Sequence, residues 1–214
     1  MILVFDASIE GFSVGVFHLN SSLIQSVTNS TPYSHTEFLV PTIQGVLSKA
    51  NAQFQDLTQI VTTKGPGSFT GIRVGLATAA GLRTALNIPV MTVNTLSALA
   101  HSAMSHHIVN TSDIHAVLDT KCGEFYHQSF SCKDGKLFVE TPPRSLPLKE
   151  LISVIGSGTV VTDPSSKSML ENIPCVTTLL TLEGVLSASN DTASEDLQPL
   201  YVRSANINHP KRDA

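Results

Sequence analysis

From Leu57 to Ser112 the sequence contains no aspartate or glutamate. Within that stretch this excludes a carboxylate ligand for Mg²⁺, a carboxylate general base and the acidic residue that binds a dinucleotide's ribose. Charge is scarce more widely. Of 13 basic and 17 acidic residues, only Asp6, Glu10, Glu37, Lys49, Asp56, Lys64, Arg73 and Arg83 fall within residues 1–107, far below the roughly 25% charged residues of an average soluble domain. Either much of that surface is covered by something else, or it is built from small polar Ser, Thr and Asn. A formal net charge of −4 with no basic cluster gives the chain no footprint for gripping RNA or DNA by itself. Cysteine is rare and odd in number: Cys122, Cys132 and Cys175 lack metal-site spacing, fit a reducing compartment and are assigned no role. The opening MILVFDAS has no basic flank and reaches Asp6 after a few apolar residues, too short for a signal sequence or a membrane span. It reads as a strand, and a cytoplasmic location without a membrane partner is expected.

What is present is an ordinary globular composition, 42% hydrophobic over 214 residues, enough for one large domain or two small ones. Apolar runs at Ile2–Ala7, Phe12–Phe17 and Leu23–Val27, separated by turn residues, predict a strand meander. Ser34-His35-Thr36-Glu37 has capping-box spacing ahead of Phe38, Leu39, Ile43, Val46 and Leu47 at helical intervals, so a helix is expected there, kinked at Pro41. A strand at Leu57–Thr63, a helix at Phe69–Asn87, a strand at Ile88–Val93 and a helix from Thr95 to about His107 follow. After a linker at Asn110–Asp113, strands are expected at Ile114–Leu118, Glu124–Phe130 and Val160–Val161, and helices at Leu148–Val154 and Ser165–Asn172. The expected division is residues 1–107 and 108–214, each a mixed sheet covered by helices.

The stretch KGPGSFTGIRVG, Lys64 to Gly75, allows three readings. It is not a Walker loop, because Ile72-Arg73 follows Gly71, and Thr70 occupies the third glycine's place in a dinucleotide fingerprint. A backbone nest at a helix start can still hold an anion. Alternatively the glycines serve close contact. On a helical wheel Gly71, Gly75, Thr78 and Leu82 form one line with Ala79 beside it, and the apolar arc is about twice the roughly 100° that covers one core. Such a helix packs twice. The second contact is either the protein's own sheet or a partner helix, and the first helix offers Phe38, Leu39, Ile43 and Leu47 to either.

MILVFDASIEGFSVGVF, SHTEFLVPTI and KGPGSFTGIRVGLATAAGLRTALNIPVMTVNTLSALA together resemble the TsaB (YeaZ-like) family, with weaker similarity in LDTKCGEFY and PLYVRS. The resemblance implies an α/β, actin/Hsp70-like (ASKHA) fold of two related lobes. It also implies a non-catalytic, accessory role beside a paralogue, TsaD, which with the ATPase TsaE transfers a threonylcarbamoyl group to adenosine 37 of tRNAs reading codons that begin with A. The tRNA is then met only through the complex. In this family the first two helices pair with those of TsaD, or with a second copy of the chain when TsaD is absent. Carried onto this sequence, the interface residues are Phe38, Leu39, Ile43, Gly71, Gly75, Thr78, Ala79 and Leu82. Where TsaD places two metal-binding histidines, this chain has Thr95 and Leu99, neither of which replaces imidazole. No catalytic residue, metal ligand or obligatory cofactor is therefore expected. His101, His106 and His107 are out of register and read as the polar face and end of a helix, and His35 as structural.

Departures from the family pattern bear on nucleotide binding. Asp6-Ala7-Ser8 replaces a loop that more often has Thr in its middle, Asp119-Thr120-Lys121 stands for Asp-Ala-Arg with loss of a planar donor, and Gly156-Ser157-Gly158 reads as a turn or a remnant nucleotide loop. Weak nucleotide binding, if present, falls to Asp6, Ser8, Gly65 and Gly67. Two alternatives to the accessory subunit remain at this point: a kinase- or ATPase-like enzyme using Asp6, and a peptidase, for which no motif places a Ser/His/Asp set or a metal pair.

Overall fold

Along the first strand apolar side chains fill both faces: Leu3 and Phe5 join one core, Ile2 and Val4 another. That is the pattern of a strand buried mid-sheet. It is β1 (Ile2–Asp6) in a computed structural model that describes residues 1–31, 35–105, 109, 111–170 and 173–202, with the backbone alone for His35. β2 (Phe12–Phe17) and β3 (Leu23–Asn29) add antiparallel on one side of it, β4 (Gln59–Thr63) and β5 (Val90–Val93) parallel on the other, in the order β3-β2-β1-β4-β5. The parallel steps are made through α1 (His35–Lys49) and α2 (Phe69–Leu86), and α3 (Thr95–Ser105) follows β5.

The second sheet repeats this winding. β6 (Asp113–Asp119) is its centre, β7 (Glu124–Lys133) and β8 (Lys136–Val139) lie antiparallel to one side, and β10 (Thr159–Thr162) and β11 (Cys175–Thr177) parallel to the other. α4 (Leu148–Ile155) takes the place of α1, a 3₁₀ turn at Lys167–Leu170 the place of α2, and α5 (Leu182–Thr192) the place of α3, while β9 (Arg144–Pro147) is an addition on β7. Two mixed sheets of one topology, each covered by helices, make the actin/Hsp70-like fold that the resemblance implies.

The layers run α1/α2, first sheet, α3/α5, second sheet, α4. α3 and α5 therefore form the middle of the molecule. Thr95 to Ala103 are all buried, and α5 lays Leu182, Val185, Leu186 and Ala188 on Val4, Val61 and Val93 of the first sheet. The two helices meet at Gly184, where a Cβ would fall 2.0 Å from Ser102 Oγ and 2.8 Å from the Ala98 carbonyl oxygen. His101 belongs to this contact and not to a polar helix face: its Nδ1 is 3.0 Å from Ser187 Oγ and its Nε2 3.4 Å from the Asp191 carboxylate. β8, β9, β11 and α5 were not expected from the sequence, and the expected helix at Ser165–Asn172 is a single 3₁₀ turn. Ser34 of the capping box, His106, His107, Asn110 and the tail Asn206–Ala214 lie outside the described residues. Among the described residues no helix is long and apolar enough to cross a membrane.

The second sheet buries two stacked histidines, His115 and His127, with Nδ1 and Nε2 2.9 Å apart. Burial first, then His115 and Arg144, lower the His127 pKa to about 4. An unfolded chain takes up this proton near pH 6.5, so the unfolded state binds more protons between about 6.5 and 4 and the fold loses stability as pH falls through that window. The loss from His127 is on the order of 2–3 kcal/mol, with His101, whose pKa burial also lowers, acting in the same direction and Asp6, whose pKa burial raises, opposing it. Replacing His127 by Gln isolates its share: the gap in Tm between wild type and His127→Gln is expected to narrow steadily from pH 7 to pH 4.5. A gap independent of pH would show that His127 titrates normally in the fold.

Candidate functional site

α1 and α2 lie side by side on the outer face of the first sheet. Ser68 caps α2 by accepting a hydrogen bond from Gly71 N–H at 3.2 Å, and Asn87 ends it in the left-handed conformation, φ 52°. Of the eight residues expected to face a partner, Leu39, Ile43, Gly71, Gly75 and Ala79 are instead buried in the chain's own core. Leu82 and Thr78 are half-buried, Leu82 against the same core, and only Phe38 is exposed. The physical reason is at the glycines. A Cβ on Gly71 would sit 1.9 Å from the Ala7 carbonyl oxygen, and one on Gly75 would face Phe5, Thr62 and Ala7 at 3.8–3.9 Å. The wide apolar arc of α2 is absorbed internally, by the sheet, by α1 and by the Gly65 loop, where a Cβ would come 2.9 Å from Ile72 Cδ1.

The face that these helices leave open is different. It carries Phe38 of α1 and Phe69 of α2, exposed at 45% and 57%, with Arg73 and Ala77 between small residues; Val40, two residues on from Phe38, emerges on the other flank of α1. Its bare positions are Gly45 and Gly81, around which a Cβ would meet nothing within 4 Å. The sequence marked this side of α2 only as polar or small.

The loops at the strand ends form the other candidate. Asp6 is buried and its Oδ1 accepts from Ser8 N–H at 3.0 Å, Ser8 Oγ at 2.5 Å and Thr63 Oγ1 at 2.6 Å; burial holds its carboxyl above the usual range in spite of these bonds. Ser8 N–H and hydroxyl are thus both committed to Asp6 and unavailable to a phosphate. Gly65 (φ +102°) and Gly67 (φ +154°) have a structural duty: a Cβ on Gly67 would fall 2.0 Å from the Ser8 carbonyl oxygen, which accepts from Ser68 N–H at 2.7 Å. The second lobe repeats the arrangement. Asp119 accepts from Lys121 N–H at 2.9 Å and Asp163 from Ser165 N–H at 2.8 Å. Between the lobes these turns line a cleft of about 410 Å³ with Glu10, Asp119, Asp163 and Lys121, whose ammonium is 3.7 Å from Asp119. Of the four residues expected to contact a nucleotide, Asp6 and Ser8 are therefore bonded to each other, and Gly65 and Gly67 lie in the turn packed beside them.

Thr95 and Leu99 are fully buried in α3, and among the described residues no group of three or more His, Cys, Asp or Glu is placed to hold a metal ion. One cluster escaped the sequence reading. Residues 194–201 return along the first lobe: Ser194 bridges to Thr92, Asp196 lies 4.0 Å from Lys64, Leu200 N–H donates to the Lys64 carbonyl at 2.7 Å, and Tyr201 lies beside α2. There Arg73 Nε donates to Tyr201 Oη at 2.8 Å, and its guanidinium carbon lies 3.7 Å from the centre of the Phe69 ring. The PLYVRS string was the only signal of it.

A family model described as tRNA N6-adenosine threonylcarbamoyltransferase, TsaD, matches residues 26–137. Curated relatives bear the name tRNA threonylcarbamoyladenosine biosynthesis protein TsaB. That of Buchnera aphidicola subsp. Schizaphis graminum is 34% identical over 126 residues, 59% of this chain and 58% of its own length. That of Escherichia coli is 30% identical over 125 residues, 58% of this chain and 52% of its own length, so the match spans little more than half of either relative. YeaZ from Pseudomonas aeruginosa, 23% identical, superposes with a TM-score of 0.79 over 94% of this chain and 98% of its own and shares its fold. By family model, relatives and the Gly-Pro-Gly-Ser-Phe-Thr-Gly loop in its observed setting, the chain belongs to the TsaB (YeaZ-like) family.

Proposed function

We propose that the chain serves tRNA threonylcarbamoyladenosine biosynthesis as a non-catalytic subunit that docks the TsaD paralogue through the outer face of α1 and α2. One observation carries the reading: that face is exposed, poor in charge and lined by Phe38, Phe69, Gly45 and Gly81, with open space over both glycines. Aromatic anchors beside bare backbone suit a helix pair from another protein. The docking partner then supplies the metal pair that Thr95 and Leu99 cannot, the ATPase TsaE acts on the assembled pair, and tRNAs reading ANN codons are met there. In the absence of TsaD the same face pairs two copies of this chain.

The test is a substitution on that face which leaves the core alone. Ala77 is exposed on α2, one turn from Arg73 and one from Gly81. Ala77→Arg is expected to keep the wild-type Tm within a degree or two and to abolish co-purification with TsaD. Full binding by a well-folded Ala77→Arg protein would remove this face from consideration.

A further inference from the structure

We infer that Arg73 is a preoriented fork for a carboxylate of a protein partner, held in place by Phe69 and by the C-terminal strap through Tyr201. This rests on the docking reading above and specifies its chemistry. An arginine on a helix surface ordinarily samples many rotamers, and fixing it costs up to about 2 kcal/mol of side-chain entropy. Here two contacts fix it. The guanidinium lies against the Phe69 ring, 3.7 Å from its centroid, and Nε is tied to Tyr201 Oη at 2.8 Å. The Tyr201 ring stands 5.9 Å from that of Phe69, so the three side chains brace one another. Among the described residues nothing takes the Nη1 and Nη2 nitrogens, and Arg73 is exposed. Their N–H groups form the planar pair that matches a carboxylate with two parallel hydrogen bonds.

The brace comes from 128 residues further along the chain. It is delivered by a strap that is itself fastened at Thr92 and Lys64. Tyr201 is itself 52% exposed, so its contact with Arg73 adds little to the burial of the core. Its effect is to hold one cation steady near the N-terminal end of the α2 outer face, on the same helix line as Ala77 and Gly81.

The charge distribution identifies the occupant. α1 and α2 carry Lys49, Arg73 and Arg83 against a single acid, Glu37, and no carboxylate occurs between Asp56 and Asp113. A second copy of the chain offers Arg73 only Glu37, the single acid of these two helices, and so fills the fork less well than a partner with its own carboxylate placed opposite. An RNA backbone needs several phosphates neutralised together, which isolated arginines on an apolar surface do not provide. A different protein, apolar and bearing an aspartate or glutamate opposite Arg73, satisfies both the surface and the fork.

The experiment is the affinity of the full chain for purified TsaD, measured by calorimetry or biolayer interferometry at low and high salt, with Arg73→Gln, Arg73→Lys and Tyr201→Phe beside the wild type. Arg73→Gln is expected to weaken binding at least about tenfold and to flatten its salt dependence, because one charge pair is gone. Arg73→Lys keeps the charge but not the fork, and should retain the salt dependence while binding severalfold more weakly than wild type. Tyr201→Phe, which removes only the acceptor that orients Arg73, should fall between wild type and Arg73→Gln. Ala77→Arg separates the two readings. If it abolishes binding while Arg73→Gln and Tyr201→Phe bind as wild type with an unchanged salt slope, the face is right and the fork is wrong. If Ala77→Arg also binds fully, the docking reading has failed and the fork with it. A loss of RNA affinity in Arg73→Gln without loss of protein affinity would likewise overturn the inference.

Discussion

A chain ended at residue 181 is expected to lack a cooperative fold. Before that point α3 supplies Ala98 to the inner face of the first sheet, but Val4, Val61 and Val93 are otherwise roofed by Leu182, Val185, Leu186 and Ala188 of α5, which reaches back from the end of the second lobe. Burying Leu182, Val185 and Leu186 contributes roughly 1.5–3 kcal/mol each, so together they amount to a large part of the ~5–15 kcal/mol by which a domain is stable. The truncation also removes the Thr92–Ser194 bridge and the Leu200 bond to Lys64. Residues 1–107 alone expose the same surface and should fare no better. Gly184→Val is the point version of the same defect, since its side chain would have to occupy space held by Ser102 Oγ and the Ala98 carbonyl. Circular dichroism and thermal melts of the truncated chain decide the matter: a sharp transition at the wild-type Tm would mean that α5 is dispensable and that the first lobe closes its own core.

The contrast between the legible and illegible parts of this chain follows from where the information lies. The first lobe could be read because its strands are short continuous apolar runs and its helices have strong caps and periodicity, with β2 and both ends of α2 within a residue of expectation. α5 could not, because LEGVLSASNDT combines a glycine with Ser, Asn and Asp, residues that disfavour a helix interior. Tertiary contact with α3 overrides that local preference, and Gly184 is there to permit it. β8, β9 and β11 are three- and four-residue strands fixed by their neighbours across the sheet and not by their own pattern. For the candidate site, the residues that the sequence offered on α1 and α2 are mostly those the chain buries in its own core. A helical wheel reports a broad apolar arc without saying whether sheet, loop or partner covers it, and here the sheet, α1 and the loops at Ala7 and Gly65 cover most of it. The Arg73–Tyr201 contact spans 128 residues and leaves no periodic trace.

Gly71 and Gly75, four residues apart on α2, should part company on mutation. Gly71→Ala is expected to cost about 3 kcal/mol, because its Cβ meets a backbone oxygen at 1.9 Å and not a side chain that can swing away. The Ala7 loop has little room to withdraw: Asp6 is tied to Thr63 at 2.6 Å, and Ser68 N–H is bonded to the Ser8 carbonyl at 2.7 Å. Gly75→Ala, four residues on, places its Cβ at ordinary contact distances of 3.8–3.9 Å and gains up to about 1 kcal/mol of helix propensity, so it should leave stability unchanged or raise it. Denaturant titrations of the two variants at one pH give the comparison directly. Gly75→Arg extends the argument from stability to function. Its side chain would be driven toward Phe5 and Thr62, so the protein should unfold instead of folding normally and failing to bind its partner. Were Gly75→Arg to melt at the wild-type temperature and yet lose TsaD, the inner line of α2 would be an interface after all, and the outward face with its arginine fork would have to be abandoned.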